Sequence, residues 1–273
     1  MILSHPGIVL EVASASHPGK VRSHNEDSIA VDAEIGLAVL ADGMGGYHAG
    51  EVASSIAVAT VRAGIRKALG GGGAVMLDDD VEELVAQQVA QANAAIYEAA
   101  CNEPRYSGMG TTLVMALWYD GRLAVGHVGD SRLYRLRGET FAQITRDHSL
   151  VQEQLDSGMI TREQARHSQY KNLVTRAVGI EPVVAAEVHT YAVEPGDIYL
   201  LCSDGLSDML DDEDIRLVLL SLRASLPLAA ERLVRQANDN GGRDNISVVL
   251  VRVVKVLSAQ TPGLPGKPQA WLG

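Results

Sequence analysis

Two apolar runs, residues 111–118 and 122–128, are separated by little more than Asp120-Gly121. A two-residue loop of this kind reverses a strand on itself, because glycine accepts the positive φ that such turns demand. The runs are therefore predicted to pair as antiparallel neighbours. Residues 131–136 and 139–144, joined by Arg137-Gly138, give the same signal. Successive hairpins are incompatible with a doubly wound parallel sheet, in which a crossover separates each strand from the next.

The other elements are placed by periodicity. Residues 8–13 and 28–31 are predicted strands around a polar loop that holds Arg22-Ser23-His24-Asn25-Glu26-Asp27. The apolar run 37–41 is predicted as a buried strand that ends at Asp42-Gly43, with the Asp displaced into a turn. Val52, Ile56, Ala59 and Ala63 recur at helical spacing over residues 51–69, with Glu51 in the first turn. Asp78, Asp79 and Asp80 offer N-caps to a helix over 81–100, whose apolar face holds Leu84, Val85, Val89, Ala92 and Ile96. Strands are predicted over 183–193, 197–201 and 246–256, and helices over 213–222 and 228–238. Helices thus come in pairs instead of alternating with strands. The expected class is α+β, a four-layer α/β/β/α sandwich of two antiparallel sheets flanked by helix pairs. Aromatic residues are only 4% of the chain, so its core must be built from Val, Leu, Ile and Ala.

Residues 148–168 are rich in Gln, Arg and His and poor in core residues, which predicts a surface subdomain or flap. Gly70 to Gly73 lack the Lys-Ser/Thr of a phosphate loop and read as a linker. Residues 258–273, with Pro262, Pro265 and Pro268, read as a flexible tail behind a single domain over 1–257. The formal charge of −11 disfavours a nucleic-acid partner. Cys101 and Cys202 sit in no ligand spacing and are expected to be reduced, buried thiols. No apolar run reaches transmembrane length and no signal-peptide layout opens the chain, so the expected location is the cytoplasm.

Acidic residues recur at the ends of predicted strands: Glu26, Asp42, Asp130, Asp204 and Asp244. Singly, each is an ordinary turn or cap residue. Gathered in one place, they would repel unless cations lay between them. All-oxygen donors select Mg or Mn over Zn, and two such cations sharing Asp42 would suit hydrolysis of phosphate esters. The Gly43 carbonyl is a further oxygen donor. Arg22, four positions before Glu26, suits a phosphoryl group through its guanidinium fork.

The segments Arg22-Ser-His-Asn-Glu-Asp27, Ala41-Asp-Gly-Met-Gly-Gly46, Gly108-Met-Gly-Thr-Thr112, Val128-Gly-Asp-Ser-Arg132, Cys202-Ser-Asp-Gly-Leu206 and Gly242-Arg-Asp-Asn-Ile-Ser247 follow one another in order. This series resembles that of the PP2C (PPM) metal-dependent protein serine/threonine phosphatases, bacterial type, over residues 8–254. The resemblance implies a binuclear Mn or Mg centre and hydrolysis of phosphoserine or phosphothreonine by activated water, with no phosphoenzyme. It implies that Asp42 bridges both metals and that the Gly43 carbonyl binds one, supported by Glu26. It assigns the other metal to Asp204 and Asp244, the phosphoryl group to Arg22, and a third, weaker metal to Asp130. Animal members carry a His where Met44 stands, so the leaving-group proton has no obvious donor. His48 is expected at the surface, and His127, His148 and His167 are expected to be structural or flap residues. Thr111 and Asn245 are expected to orient backbone. The implied partners are phosphorylated proteins and a cognate Ser/Thr kinase, with the chain a monomer. The alternatives are a phosphoprotein-binding regulator of weak or no activity and, disfavoured by charge, a two-metal nuclease.

Overall fold

The computed structural model describes residues 2–257 apart from 6, 47, 71–76, 167 and 172. The tail expected at 258–273, the linker at 71–73 and His167 lie outside the described residues. The strands are β1 (Ile2–His5), β2 (Ile8–His17), β3 (Asp27–Asp32), β4 (Leu37–Met44), β5 (Gly110–Thr111), β6 (Leu113–Tyr119), β7 (Arg122–Val128), β8 (Arg132–Arg137), β9 (Thr140–Gln143), β10 (Glu187–Ala192), β11 (Ile198–Cys202) and β12 (Ile246–Val256). The helices are α1 (Ala49–Leu69), α2 (Asp78–Asn102), α3 (Leu150–Asp156), α4 (Arg162–Arg166), α5 (Asp204–Ser207), α6 (Asp212–Ser221) and α7 (Leu226–Asp239).

The strands form two antiparallel sheets. One runs β1-β2-β12-β11-β8-β9, the other β10-β7-β6-β4-β3 with β5 beside the end of β4. The β6–β7 hairpin turns at Asp120 (φ 39°) and Gly121 (φ 75°), the left-handed pair foreseen for Asp-Gly. Between the sheets lies a core that includes Leu10, Leu40, Trp118, Tyr199 and Val249. The outer face of the second sheet packs on α1 and α2 through Val39, Val61, Ile65, Val85, Val89 and Met115. The outer face of the first packs on α6 and α7 through Leu200, Leu219, Leu233 and Leu250. The result is the expected four-layer α/β/β/α sandwich. It explains why β6 reads as a continuous apolar run: a central strand covered on both faces has no solvent side, and every residue from Leu113 to Tyr119 is buried. Each large apolar side chain so covered contributes about 1.5–3 kcal/mol.

Several boundaries differ from expectation. Asp42 is not displaced into a turn: β4 continues through Gly43 and Met44 because β5 pairs with them, Gly43 opposite Thr111 and Met44 opposite Gly110. Asp78, Asp79 and Asp80 occupy the first turn of α2, where they complement the helix dipole, and Leu77 is the cap residue. The strand expected over 183–193 shrinks to β10; the chain before it packs Val184 and Ala186 against the core beneath α1 and α2, and Asn93 Nδ2 on α2 donates to the Glu181 and Pro182 carbonyls just ahead of them. Cys101 is exposed, not buried, because it ends α2 beyond the core; Cys202 is buried, and burial pushes its thiol up to about 12. No helix among the described residues is long and apolar enough to cross a membrane.

Candidate metal centre and active site

The sandwich opens at one end into a cleft of about 360 Å³. Its lining includes all of Arg22, Glu26, Asp42, Gly43, Asp130, Asp204 and Asp244. These residues reach it from both sheets: Glu26 just before β3, Asp42 and Gly43 on β4, Asp130 after β7, Asp204 after β11 and Asp244 before β12. His24, Met44, Thr112, Val174 and Asn245 complete much of the wall.

Backbone contacts fix this rim. Asn245 accepts the Glu26 N–H at 2.8 Å and donates from Nδ2 to the Pro18 and His24 carbonyls at 3.0 and 2.8 Å. One side chain thereby fastens the whole 18–26 loop to the foot of β12. Thr111 Oγ1 donates to the Asp42 carbonyl at 2.8 Å, and Thr112 Oγ1 accepts the Asp42 N–H at 3.2 Å. Both Thr111 and Asn245 therefore orient backbone. Gly43 serves close approach: a Cβ there would lie 2.1 Å from the Gly50 carbonyl oxygen and 2.6 Å from that of Glu26.

Electrostatics define what the cleft can hold. Among the described residues, five carboxylates and a single fixed positive charge, Arg22, line it. Burial pushes Asp42 well above the usual carboxylate range, and repulsion from Asp27, Asp204, Asp130 and Asp244 adds to this. Burial raises Asp204 likewise, and repulsion from Asp130 and Asp208 adds to this. Asp130 is pushed up to about 6 by burial and by Asp147, and burial also raises Glu26. Arg22 is held firmly charged, first by its hydrogen bond to Asp244 at 2.8 Å. Oxygen-rich, like-charged and confined, the acidic set fits hard divalent cations.

Asp27 stands in the sequence motif, yet no role attaches to it there. The structure places it opposite Asp42 in the β3–β4 register, beneath the cleft, with Ser203 Oγ donating to its Oδ2 at 2.9 Å. Burial pushes it up to about 6. It joins the acidic group from below. His48 is exposed at the start of α1, its ring 4.1 Å from that of His24.

The family profile described as Protein phosphatase 2C matches residues 16–250. The chain belongs to the protein phosphatase 2C family. Among its relatives in this family is the serine/threonine phosphatase stp of Listeria welshimeri, 37% identical over 236 residues that cover 85% of this chain and 92% of that one. The serine/threonine protein phosphatase PstP of Mycobacterium tuberculosis is 40% identical over 265 residues, 93% of this chain but 47% of PstP. The crystal structure of the PstP catalytic domain in complex with two manganese ions superposes with a TM-score of 0.78 at 38% identity, covering 90% of this chain and 99% of that one. The 2C family therefore accounts for the sandwich as well as for the order of the motifs.

Proposed function

We propose that the protein is a metal-dependent serine/threonine phosphatase that hydrolyses phosphoserine and phosphothreonine in phosphorylated proteins. The observation that carries this is the convergence of five carboxylates and one arginine, from both sheets, on a single cleft. Membership of the phosphatase 2C family and the names of the relatives support it. Mn or Mg is the cofactor, with two core ions and a third held more weakly. In this proposal Asp42 would serve both core ions, Gly43 and Glu26 would serve one, Asp204 and Asp244 the other, and Asp130 would help to hold the third. When bound, the ions activate water and neutralise the phosphoryl oxygens.

The chain's own residues supply the remainder. Arg22 lies at the mouth, partly exposed, where its fork can accept a phosphoryl group in place of a carboxylate. Asn245 keeps the Arg22 loop in register with the foot of β12, and Thr111 and Thr112 keep Asp42 directed into the cleft. Met44 lines the wall and carries no proton, so the leaving group is protonated by another donor. The full set of acids favours a working enzyme over a non-catalytic regulator. We also propose that the catalytic domain spans 1–257 with its flap at 148–170, and that the protein acts as a cytoplasmic monomer opposite a cognate Ser/Thr kinase.

The test is hydrolysis of a phosphothreonine peptide with Mn, with and without EDTA. Release of phosphate is expected only with metal, and not by Asp42→Ala. Turnover that persists in EDTA or in Asp42→Ala would sink the proposal.

A further inference from the structure

A second cluster of titratable side chains lies outside the acidic cleft. His127 at the end of β7 and His148 just before α3 stack at 4.7 Å, and Glu187 on β10 lies against both. One ligand atom from each lies within 4.8 Å of the others, as a metal site would require. The hydrogen bonds oppose that use. The Gly129 N–H donates to His148 Nδ1 at 3.1 Å, so Nδ1 carries no proton. The ring proton therefore sits on Nε2 and is donated to Glu187 Oε2 at 3.3 Å. A neutral imidazole bound to metal through Nε2 would need its proton on Nδ1, where it would face another N–H. Glu187 Oε1 is also engaged, by His189 Nε2 at 3.0 Å.

The same contacts do something else. His148 holds both polar groups of Gly129: the side chain accepts the Gly129 N–H, and the His148 N–H donates to the Gly129 carbonyl at 2.9 Å. On the far side of Asp130, the Ser131 hydroxyl lies 2.7 Å from that of Thr112, which also holds Asp42. Gly129 has φ 103°, and a Cβ there would lie 2.7 Å from Thr112, so only glycine fits this turn. Asp130 is thus suspended between His148 and Thr112. His148 is also the root of the flap: its carbonyl accepts the Thr175 N–H at 2.9 Å, and Ser149 pairs with Val174, which lines the cleft.

We propose that His148, as the neutral Nε2–H tautomer buttressed by Glu187, is a positioning residue that sets the Asp130 carboxylate and couples it to the flap root. The effect on turnover rests on the phosphatase reading; the tautomer and the Gly129 clamp do not.

Three measurements on the full chain with Mg or Mn test this. The long-range 1H–15N spectrum of the Mg-loaded protein should show His148 protonated at Nε2 and bare at Nδ1; a proton on Nδ1 overturns the proposal. Hydrogen exchange at the Gly129 amide should be slow in the wild type and in His148→Asn, whose Oδ1 replaces the Nδ1 acceptor, and fast in His148→Ala. On a phosphothreonine peptide, His148→Ala should lose about five- to tenfold in kcat, the worth of one buried hydrogen bond, while His148→Asn stays near wild type. Equal losses in the two variants, or no loss in either, overturn it. If His148→Ala does not fold, the wild-type spectrum and the activity of His148→Asn decide. A wild-type protein with no Mn-dependent turnover would instead defeat the phosphatase reading and leave the spectrum and the exchange rates to judge His148.

Discussion

Arg22 and Asp244 meet at the mouth of the cleft, guanidinium nitrogen to carboxylate oxygen at 2.8 Å, although 222 residues separate them in the chain. Both are partly exposed, so the pair adds at most about 1 kcal/mol to stability. In the proposed role its value is positional: it aims the guanidinium fork across the acids. Arg22→Ala is expected to lower kcat/KM on a phosphopeptide by about 10- to 100-fold, as for loss of a charged hydrogen bond of about 1.5–3 kcal/mol. Mn affinity by titration calorimetry should change by less than about fivefold. Parallel loss of metal would contradict this role.

Gly43→Ala is expected to cost about 3 kcal/mol or more, because its Cβ would meet two backbone carbonyls that cannot swing aside. Urea unfolding reads the change. A variant as stable as the wild type would show that β4 and α1 are looser at this point than their contacts imply.

Asp42→Asn should separate stability from function. It removes one of the mutually repelling charges in the cleft. In EDTA its unfolding midpoint is expected to rise by a few degrees, about 2–4 °C per kcal/mol for a domain of this size. Turnover with Mn should vanish. A lower midpoint in EDTA would mean that Asp42 is held mainly by favourable contacts.

Burial holds His127 below the usual imidazole range, and it does the same to His148, which also feels His127 and Arg176. Glu187, Asp147 and His189 face the pair as well. A histidine depressed in the folded state binds its proton more readily when unfolded. The stability it contributes is complete above an unfolded value of about 6.5 and is lost as pH falls below that. The histidine share of the stability therefore falls between pH 7 and pH 5, against the share of the cleft carboxylates that burial raises, which grows over the same range. Against the wild type, thermal midpoints in His127→Gln should lose less on going from pH 7 to pH 5; its amide can still donate to the Arg146 carbonyl as His127 Nε2 does. An identical slope in that variant would remove His127 from the account.

The legible part of the fold is the part that local chemistry settles. Asp120-Gly121 fixes a hairpin by backbone conformation alone, and β12 coincides with the run predicted for it. The cleft acids are legible because each adjoins an apolar run. Asp27 escapes because its burial depends on lying opposite Asp42 and on a hydroxyl from the other sheet, neither of which is a local property. The extension of β4 escapes for the same reason, since its partner Gly110 is 66 positions after Met44. Cys101 is misjudged because helix length, not residue type, decides whether the last turn of α2 is covered. The clamp on Gly129 needs an imidazole 19 positions away with a particular nitrogen free.

β2, near the start of the chain, is bonded along its length to β12, with Ile8 opposite Val256 and His17 opposite Ile246. During synthesis, then, the first sheet stays unclosed and the Arg22 loop lacks Asn245, its anchor, until nearly the whole domain has been made. Pairing the first long strand with the last delays folding, since distant segments must meet before either gains a partner. It also means that a chain cut short anywhere before residue 244 presents an incomplete acid set, so a prematurely ended product does not carry this catalytic centre into the cell's phosphoproteins.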